Sequence, residues 1–328
     1  MDDVIPSHIE GAAHALALDA ATAEAVTALE PQGISPVLIK GPATAHWLYA
    51  DAPDVRNYVD IDILVDPDRF RDAEDVLESL GYQSEYGDYR VANQAWLHSS
   101  AWERPGPSPS YIDVHRGFHG VSDWPAWWAV MSSHTIEIDV AGRPVRIPDA
   151  PGCALIVALH DAATGRSERS AADLRRAIDT FDDAIWHEAV QRASQVGCQP
   201  SVVAALMLHD AGERLADRLG LPAAIPPDVA IRTLVASGVA PGLADRAWVL
   251  QTQLAAASTW RERIRVMRDV VVPSREFLQI SRPLARQGRM GMLATRMIRP
   301  FDVALRAPRI IWLVARGRRR ARRSGWHD

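Results

Sequence analysis

The chain has 328 residues, long enough for two domains, and 48% of them are hydrophobic, ample for a globular core. No apolar stretch reaches the roughly eighteen residues that cross a bilayer, the opening Met1-Asp2-Asp3-Val4-Ile5 has no basic region before an apolar run, and the only cysteines, Cys153 and Cys198, lie in apolar helical stretches. A membrane span, a secretion signal, a cysteine-based metal centre and a disulfide framework are therefore not expected, and the expected location is cytoplasmic. The net charge of −5 conceals a polarity: residues 1–150 carry 24 acidic and 9 basic side chains, residues 151–328 carry 17 and 27. An acidic front half argues against broad nucleic-acid binding there.

Apolar residues at helical spacing (Ile9, Ala12, Ala13, Leu16, Ala20, Ala23, Val26) predict a helix over residues 7–29, ended by Gly33. Val37-Leu38-Ile39 reads as a short strand. Lys40-Gly41-Pro42 then turns into a helix over 43–50, with proline at its first position. Residues 58–65, Tyr-Val-Asp-Ile-Asp-Ile-Leu-Val, read as a strand. Asp66 caps a second helix whose face is Phe70, Ala73, Val76, Leu77 and Leu80, stopped by Gly81. Strand-like stretches follow near Tyr82–Tyr86 and Tyr89–His98. After the proline-rich stretch from Arg104, residues 111–115 (Tyr-Ile-Asp-Val-His) form another strand, and Arg143–Ile147 a last one. From Pro151 onward the pattern is helical: 153–163, 171–181, 185–196, 201–219, 243–257 and 259–271. The expectation is an α+β fold, with a mixed-sheet half at 1–150, an all-α half at 151–285 and an arginine-rich tail at 286–328.

The chemistry concentrates at Asp60-Ile61-Asp62. Successive strand side chains point to opposite faces, so the two aspartates share one face, with Ile61, Ile63 and Val65 on the other. Two carboxylates held that close repel unless a cation sits between them, and Mg²⁺ suits such a pair because it takes oxygen ligands and completes its shell with water and phosphate. Lys40 is the only lysine, against 35 arginines, which points to a need for a compact point charge. Strand, glycine turn and helix start together form an arrangement that grips phosphate through backbone N–H groups. Asp113 is a third acid; if its strand lies beside the Asp60/Asp62 strand, three carboxylates converge in the manner of two-metal phosphoryl chemistry.

Leu38-Ile39-Lys40-Gly41, Arg56, Asp60-Ile61-Asp62-Ile63-Leu64-Val65 and Ile112-Asp113-Val114-His115 together resemble the uncharacterised bacterial nucleotidyltransferase family of the DNA polymerase β superfamily. The resemblance is good over residues 5–120 and weak beyond. It implies a metal-dependent transfer of a nucleoside monophosphate from an NTP to a hydroxyl or phosphate, with pyrophosphate released. Asp60, Asp62 and Asp113 would be the metal ligands and catalytic residues, with Mg²⁺ or Mn²⁺ as cofactor. Lys40, Gly41 and Arg56 would bind the nucleotide. The acceptor is left open among a small molecule, a peptide and RNA. One departure stands out: the wider superfamily has Gly-Ser at the phosphate turn, whereas this chain has Gly41-Pro42. Proline offers neither N–H nor hydroxyl, so the grip leans on Lys40 and neighbouring amides. A catalytically inactive relative that serves as a binding protein, and an RNA-modifying enzyme or toxin, are the rival readings.

Other groups read more plainly. His115 and His119 are four apart but follow a strand, and no third ligand has matching spacing, so zinc is not expected; His115 shares a strand face with Asp113 and borders the site or is simply hydrogen-bonded. His98 ends a strand. Trp124, Trp127 and Trp128 read as a core plug between the halves rather than a base-stacking platform. Asp173 taken alone reads as a solvated helix acid, while the resemblance implies an acid-bearing helix near here whose acid would face the cleft. Residues 286–328 hold 12 arginines against Asp302 and Asp328; Ile310 to Ala315, followed by Arg316 to Arg323, is compatible with weak contact to an anionic membrane surface, with RNA phosphates, or with a disordered solubilising tail. Pro300 and Pro308 are expected to break any long helix there.

Overall fold

The computed structural model describes residues 7–52, 56, 58–85, 97–106, 109–121, 123–164, 167–222, 227, 230–231, 259–323 and 325. The fold is α+β. Five strands, β1 (Val37–Leu38), β2 (Ile61–Leu64), β3 (Gln83–Ser84), β4 (Ser99–Arg104) and β5 (Ser110–His115), form one mixed sheet in the order β1-β2-β5-β4-β3. β2 and β5 run parallel, whereas the other neighbours are antiparallel. A separate hairpin, β6 (Thr135–Val140) and β7 (Arg143–Pro148), packs against β1.

The expected strand near Tyr89–His98 falls largely outside the described residues; Leu97 and His98 are not strand, and the ladder partner of β5 is Ser99–Arg104. That segment mixes serine, arginine and glutamate, and its strand character comes from pairing with β5 rather than from its own pattern. Sequence reading also passed over β6 and the helix α4 (Trp124–Ser133), which Asp123 caps by accepting from the Ala126 N–H at 3.0 Å.

The two sheet faces serve different neighbours. Ile61, Ile63, Ile112 and Val114 point to one side, where α1 (Ser7–Leu29) covers them with Leu18, Ala21, Ala25 and Leu29, and α3 (Phe70–Ser79) with Phe70, Ala73 and Leu77. Val37, Ile39 and Leu64 belong to a second cluster that takes in Phe118 and Trp127 and the helices α5 (Ala150–Thr164), α6 (Glu168–Thr180), α7 (Asp183–Gln195) and α8 (Gln199–Leu206). This cluster draws on both sides of residue 150. Trp127 is wholly buried and stacks on Phe118 at 5.7 Å. Trp124 and Trp128 pack on the same cluster, so the tryptophan group fills the core.

Within the helical half α5 is the hub, packed by α6, α7 and α8. Asp149, just before α5, accepts from the Gly152 N–H at 3.0 Å and holds the Arg192 guanidinium of α7 at 2.6 and 2.8 Å. The expected helix over 201–219 is two: α8 and α9 (Asp210–Arg218) break at Met207–His209. Gly212 explains the crossing, since a Cβ there would lie 2.2 Å from the Leu206 carbonyl oxygen. The expected helix at 243–257 lies outside the described residues. The one over 259–271 is α10 (Trp260–Val271), followed by α11 (Arg275–Ser281).

The tail corrects an expectation: α12 runs unbroken from Gly288 to Arg323 with Pro300 and Pro308 inside it. Each proline removes one N–H bond to the carbonyl four residues back. Those carbonyls belong to Arg296 and Ala304, both exposed, so water can satisfy them at modest cost.

The halves are also joined by a buried charge. Arg56 grips Asp173 of α6 through Nε at 3.0 Å and Nη2 at 2.9 Å, and Tyr49 donates to the same carboxylate at 2.8 Å. Asp173 is only 3% exposed, so it is not the solvated acid expected from sequence. Removing one member of such a pair strands the other charge. Asp173→Ala should lower stability by about 3–5 kcal/mol, whereas replacing both partners with apolar side chains of similar volume should recover most of the loss. Denaturant unfolding of the two single variants and the double variant checks this.

Candidate functional site

Asp62 sits at the centre of β2 with 2% of its surface exposed. Two elements bring hydrogen-bond partners to it. β1 ends at Leu38; the chain stays alongside β2 for one more bond, from Ile39 N–H to Asp62 C=O at 2.9 Å, and then delivers Lys40, whose Nζ lies 2.6 Å from Asp62 Oδ1. β5 runs parallel to β2 with Asp113 opposite Asp62 and His115 opposite Leu64. From there His115 Nε2 reaches the same Asp62 oxygen at 2.9 Å. The expectation that the strand of Asp113 lies beside that of Asp62 is met, with the two aspartates in direct register.

Lys40 is kept in place on its other side by Phe118, whose ring centre is 5.7 Å from Nζ. Immediately after it, Gly41 turns the chain with φ 59° and ψ −114° and caps α2 (Pro42–Leu48), with proline at the first helical position. Side-chain-bearing residues rarely adopt that backbone, and a Cβ there would press on the Tyr58 ring at 3.4 Å. Tyr58 is itself fixed through its hydroxyl, which donates to Asp19 of α1.

The charges are mutually adjusted. Burial alone would push the Asp62 carboxyl up, but Lys40 and His115 outweigh it and hold Asp62 well below the usual carboxylate range. The Lys40 ammonium is pushed down by burial yet ends raised, because Asp62, Asp60 and Asp113 all favour its charge. Burial raises Asp113 to about 6, and burial followed by repulsion from Asp62 also raises Asp60. Neither the Asp60 nor the Asp113 carboxylate takes a hydrogen bond among the described residues. The cluster is therefore one lysine facing three acids, two of which resist ionisation.

Ligand atoms of Asp62, Asp113 and His115 all lie within 4.8 Å of one another and form a candidate metal-binding group. Asp60 stands outside that group, at the entry to β2, though its charge is felt there. His115 Nδ1 is buried without a hydrogen-bond partner among the described residues, so the ring is held by Asp62 through Nε2 and by packing against Phe118 and His98. His119 is not part of this group; its ring sits edge-on to His98 at 4.2 Å.

Sequence reading missed His160 on α5. It faces the site from the helical half: burial first, then Lys40, depress it to about 3, and Asp62, Arg56 and His115 also act on it. It therefore remains neutral near pH 7. The signal was faint, a polar pair, His160-Asp161, inside an apolar helix; Asp161 turns the other way and meets His209 at 3.0 Å. Arg56 lies within range of His160, with its Nε and Nη2 edge turned to Asp173.

Residues 6–211 match the family described as "Uncharacterised nucleotidyltransferase", and the chain belongs to that family. Among solved structures it is similar to an antigenic nucleotidyltransferase-like protein from Paracoccidioides brasiliensis, at 13% identity and a TM-score of 0.36, over 58% of this chain and 92% of that one. No curated protein sequence matches it.

Asp113 gives a pH test. Its folded-state value is above the ordinary 3.8, so the folded state binds the extra proton. In metal-free protein this group adds stability that is present below 3.8 and fades as pH rises through about 6. Asp113→Asn should raise the melting temperature at pH 8 and flatten the gain on acidification. The difference should be at most about 3 kcal/mol. Thermal unfolding across pH 4.5–8 (roughly the window of that titration) is the measurement.

Proposed function

We propose that the protein is a metal-dependent nucleotidyltransferase that moves a nucleoside monophosphate from an NTP to an acceptor hydroxyl or phosphate and releases pyrophosphate. The observation that carries this is the in-register pair Asp62/Asp113 on parallel strands, with Lys40 and the Gly41 turn at its edge. The donor set fits a divalent cation: carboxylates suit Mg²⁺, and an added imidazole is compatible with Mn²⁺. Asp60, Asp62 and Asp113 would hold it, with His115 adjoining. Bound there, the metal would supply Lewis-acid charge to the phosphates.

The chain's own groups do the rest. Lys40 exchanges its hold on Asp62 for the triphosphate, contributing a point charge where oxyanion charge develops. Gly41 lets the backbone approach the phosphates closely. Asp113 orients the acceptor oxygen and takes its proton as that oxygen attacks the α-phosphorus, and the bond to the bridging oxygen breaks to free pyrophosphate. Arg56, steadied by Asp173, lies on the nucleotide side. Residues 1–150 form the catalytic half in this reading. The helical half at 151–285, with His160 on α5, closes the acceptor side.

Calorimetric titration of each NTP with Mg²⁺ tests the proposal. Wild type should bind in a metal-dependent manner, and Asp60→Ala/Asp62→Ala should weaken binding by about a hundredfold or more. No binding by wild type, with fold intact by circular dichroism, would favour the inactive binding-protein reading, with Gly41-Pro42 and the Lys40–Asp62 contact as its basis.

A further inference from the structure

The C-terminal helix α12 carries two faces with different jobs. Gly291, Met292, Thr295, Leu313, Gly317 and Ala321 are buried and recur on one side. That side is fitted to the protein: a Cβ on Gly317 would lie 2.3 Å from Ile231, and one on Gly291 2.1 Å from the Leu284 carbonyl oxygen. Leu313 packs with Ile231, and Met292 packs with Leu278 and Ala285. The anchoring face is thus settled.

The opposite face is apolar and open. Met290, Leu293, Met297, Phe301, Leu305 and Trp312 follow one another at intervals of three, four or seven residues, which is helical spacing. Their exposures run from 45% for Trp312 to 81% for Leu305. Pro300 does not interrupt the row, because α12 is continuous through it. The neighbouring α10, which Arg299 ties to α12 by donating to the Val270 carbonyl at 3.0 Å, adds Trp260, Ile264 and Met267 at spacings of four and three, exposed by 67%, 57% and 47%. Exposed apolar rows of this extent mark an interaction surface.

The charge beside the row selects the occupant. Arg289, Arg296 and Arg309 are exposed along α12, and residues 316–323 add six more arginines, with Arg316 lying over the Trp312 ring at 4.9 Å. The only acid on α12 is Asp302, which is taken up by Arg282 and Arg306. An apolar row of large side chains, a tryptophan at its basic end and exposed arginines that far outnumber the helix's one acid are the features of a helix that lies in the plane of an anionic membrane, side chains in the acyl boundary and guanidinium groups at the headgroup phosphates. An RNA-binding surface would need the arginines but not the apolar row. No described helix is long and apolar enough to cross a bilayer, so contact is at the surface.

We infer that α12 docks the protein reversibly on anionic lipid surfaces through the Met290–Trp312 face. The inference is independent of the nucleotide site. Full-length protein is floated with vesicles of equal parts phosphatidylcholine and phosphatidylglycerol, and with phosphatidylcholine alone. It should float with the anionic vesicles, weakly or not at all with the neutral ones, and lose binding as salt is raised. Phe301→Glu/Leu305→Glu, at exposed positions that leave the anchored face intact, should cut the bound fraction about tenfold or more. Arg318→Ala/Arg319→Ala/Arg320→Ala should weaken it while leaving the helix folded. No flotation with anionic vesicles overturns the inference. So does RNA binding that the arginine variant abolishes but the Phe301/Leu305 variant leaves untouched with no vesicle binding by wild type. A solution dimer that the Phe301/Leu305 variant converts to monomer, again without flotation, would assign the face to a second copy and equally overturn it.

Discussion

A carboxylate buried in the middle of a strand is the constraint around which this fold is arranged. Asp62 occupies a position where β2 is buried throughout, and a charge there is tolerated only if hydrogen-bonding partners reach it. Lys40 from the end of β1 and His115 from the end of β5 both do so on one oxygen. The sheet order, with β2 between β1 and β5, is what allows both to arrive. The same order places Asp113 directly beside Asp62. The site is therefore a property of strand neighbours rather than of loops, which keeps its geometry rigid.

The acidic cluster carries more negative charge than Lys40 can balance, and burial keeps Asp113 and Asp60 raised. That is a cost to the folded chain which a divalent ion would offset. The helical half contributes structure as well as cover. Asp173 fixes Arg56 from α6, and α5 supplies His160 from the facing side. The hydrophobic cluster that includes Ile39 and Leu64 continues into α5, α6 and α7, so the groups at the end of β1 rest on the helical bundle as much as on the sheet.

Much of the site was legible in the sequence because it is local. Lys40-Gly41-Pro42 and Asp60-Ile61-Asp62 announce themselves by residue type and alternation, and Asp113 by a matching short strand. What was not legible depends on distant partners. Asp173 has the look of any helical acid until Arg56 and Tyr49 arrive from over a hundred residues away. His160 is indistinguishable from a core histidine until α5 lies over Lys40. The break at Met207–His209 arises from the close approach of Gly212 to Leu206, which no period in the sequence encodes. The unbroken α12 shows the reverse: proline's local rule yields when the carbonyls it orphans face water and the opposite side of the helix is anchored.

The most direct measurement is anomalous diffraction at the manganese edge from crystals grown with Mn²⁺ and a non-hydrolysable NTP. The prediction is a peak bounded by Asp62 and Asp113, with Lys40 Nζ withdrawn from Asp62 and turned to the phosphates. A map with no peak there, and Lys40 still bonded to Asp62 while the nucleotide sits elsewhere or not at all, would contradict the view that this cluster exists to hold a cation and a triphosphate.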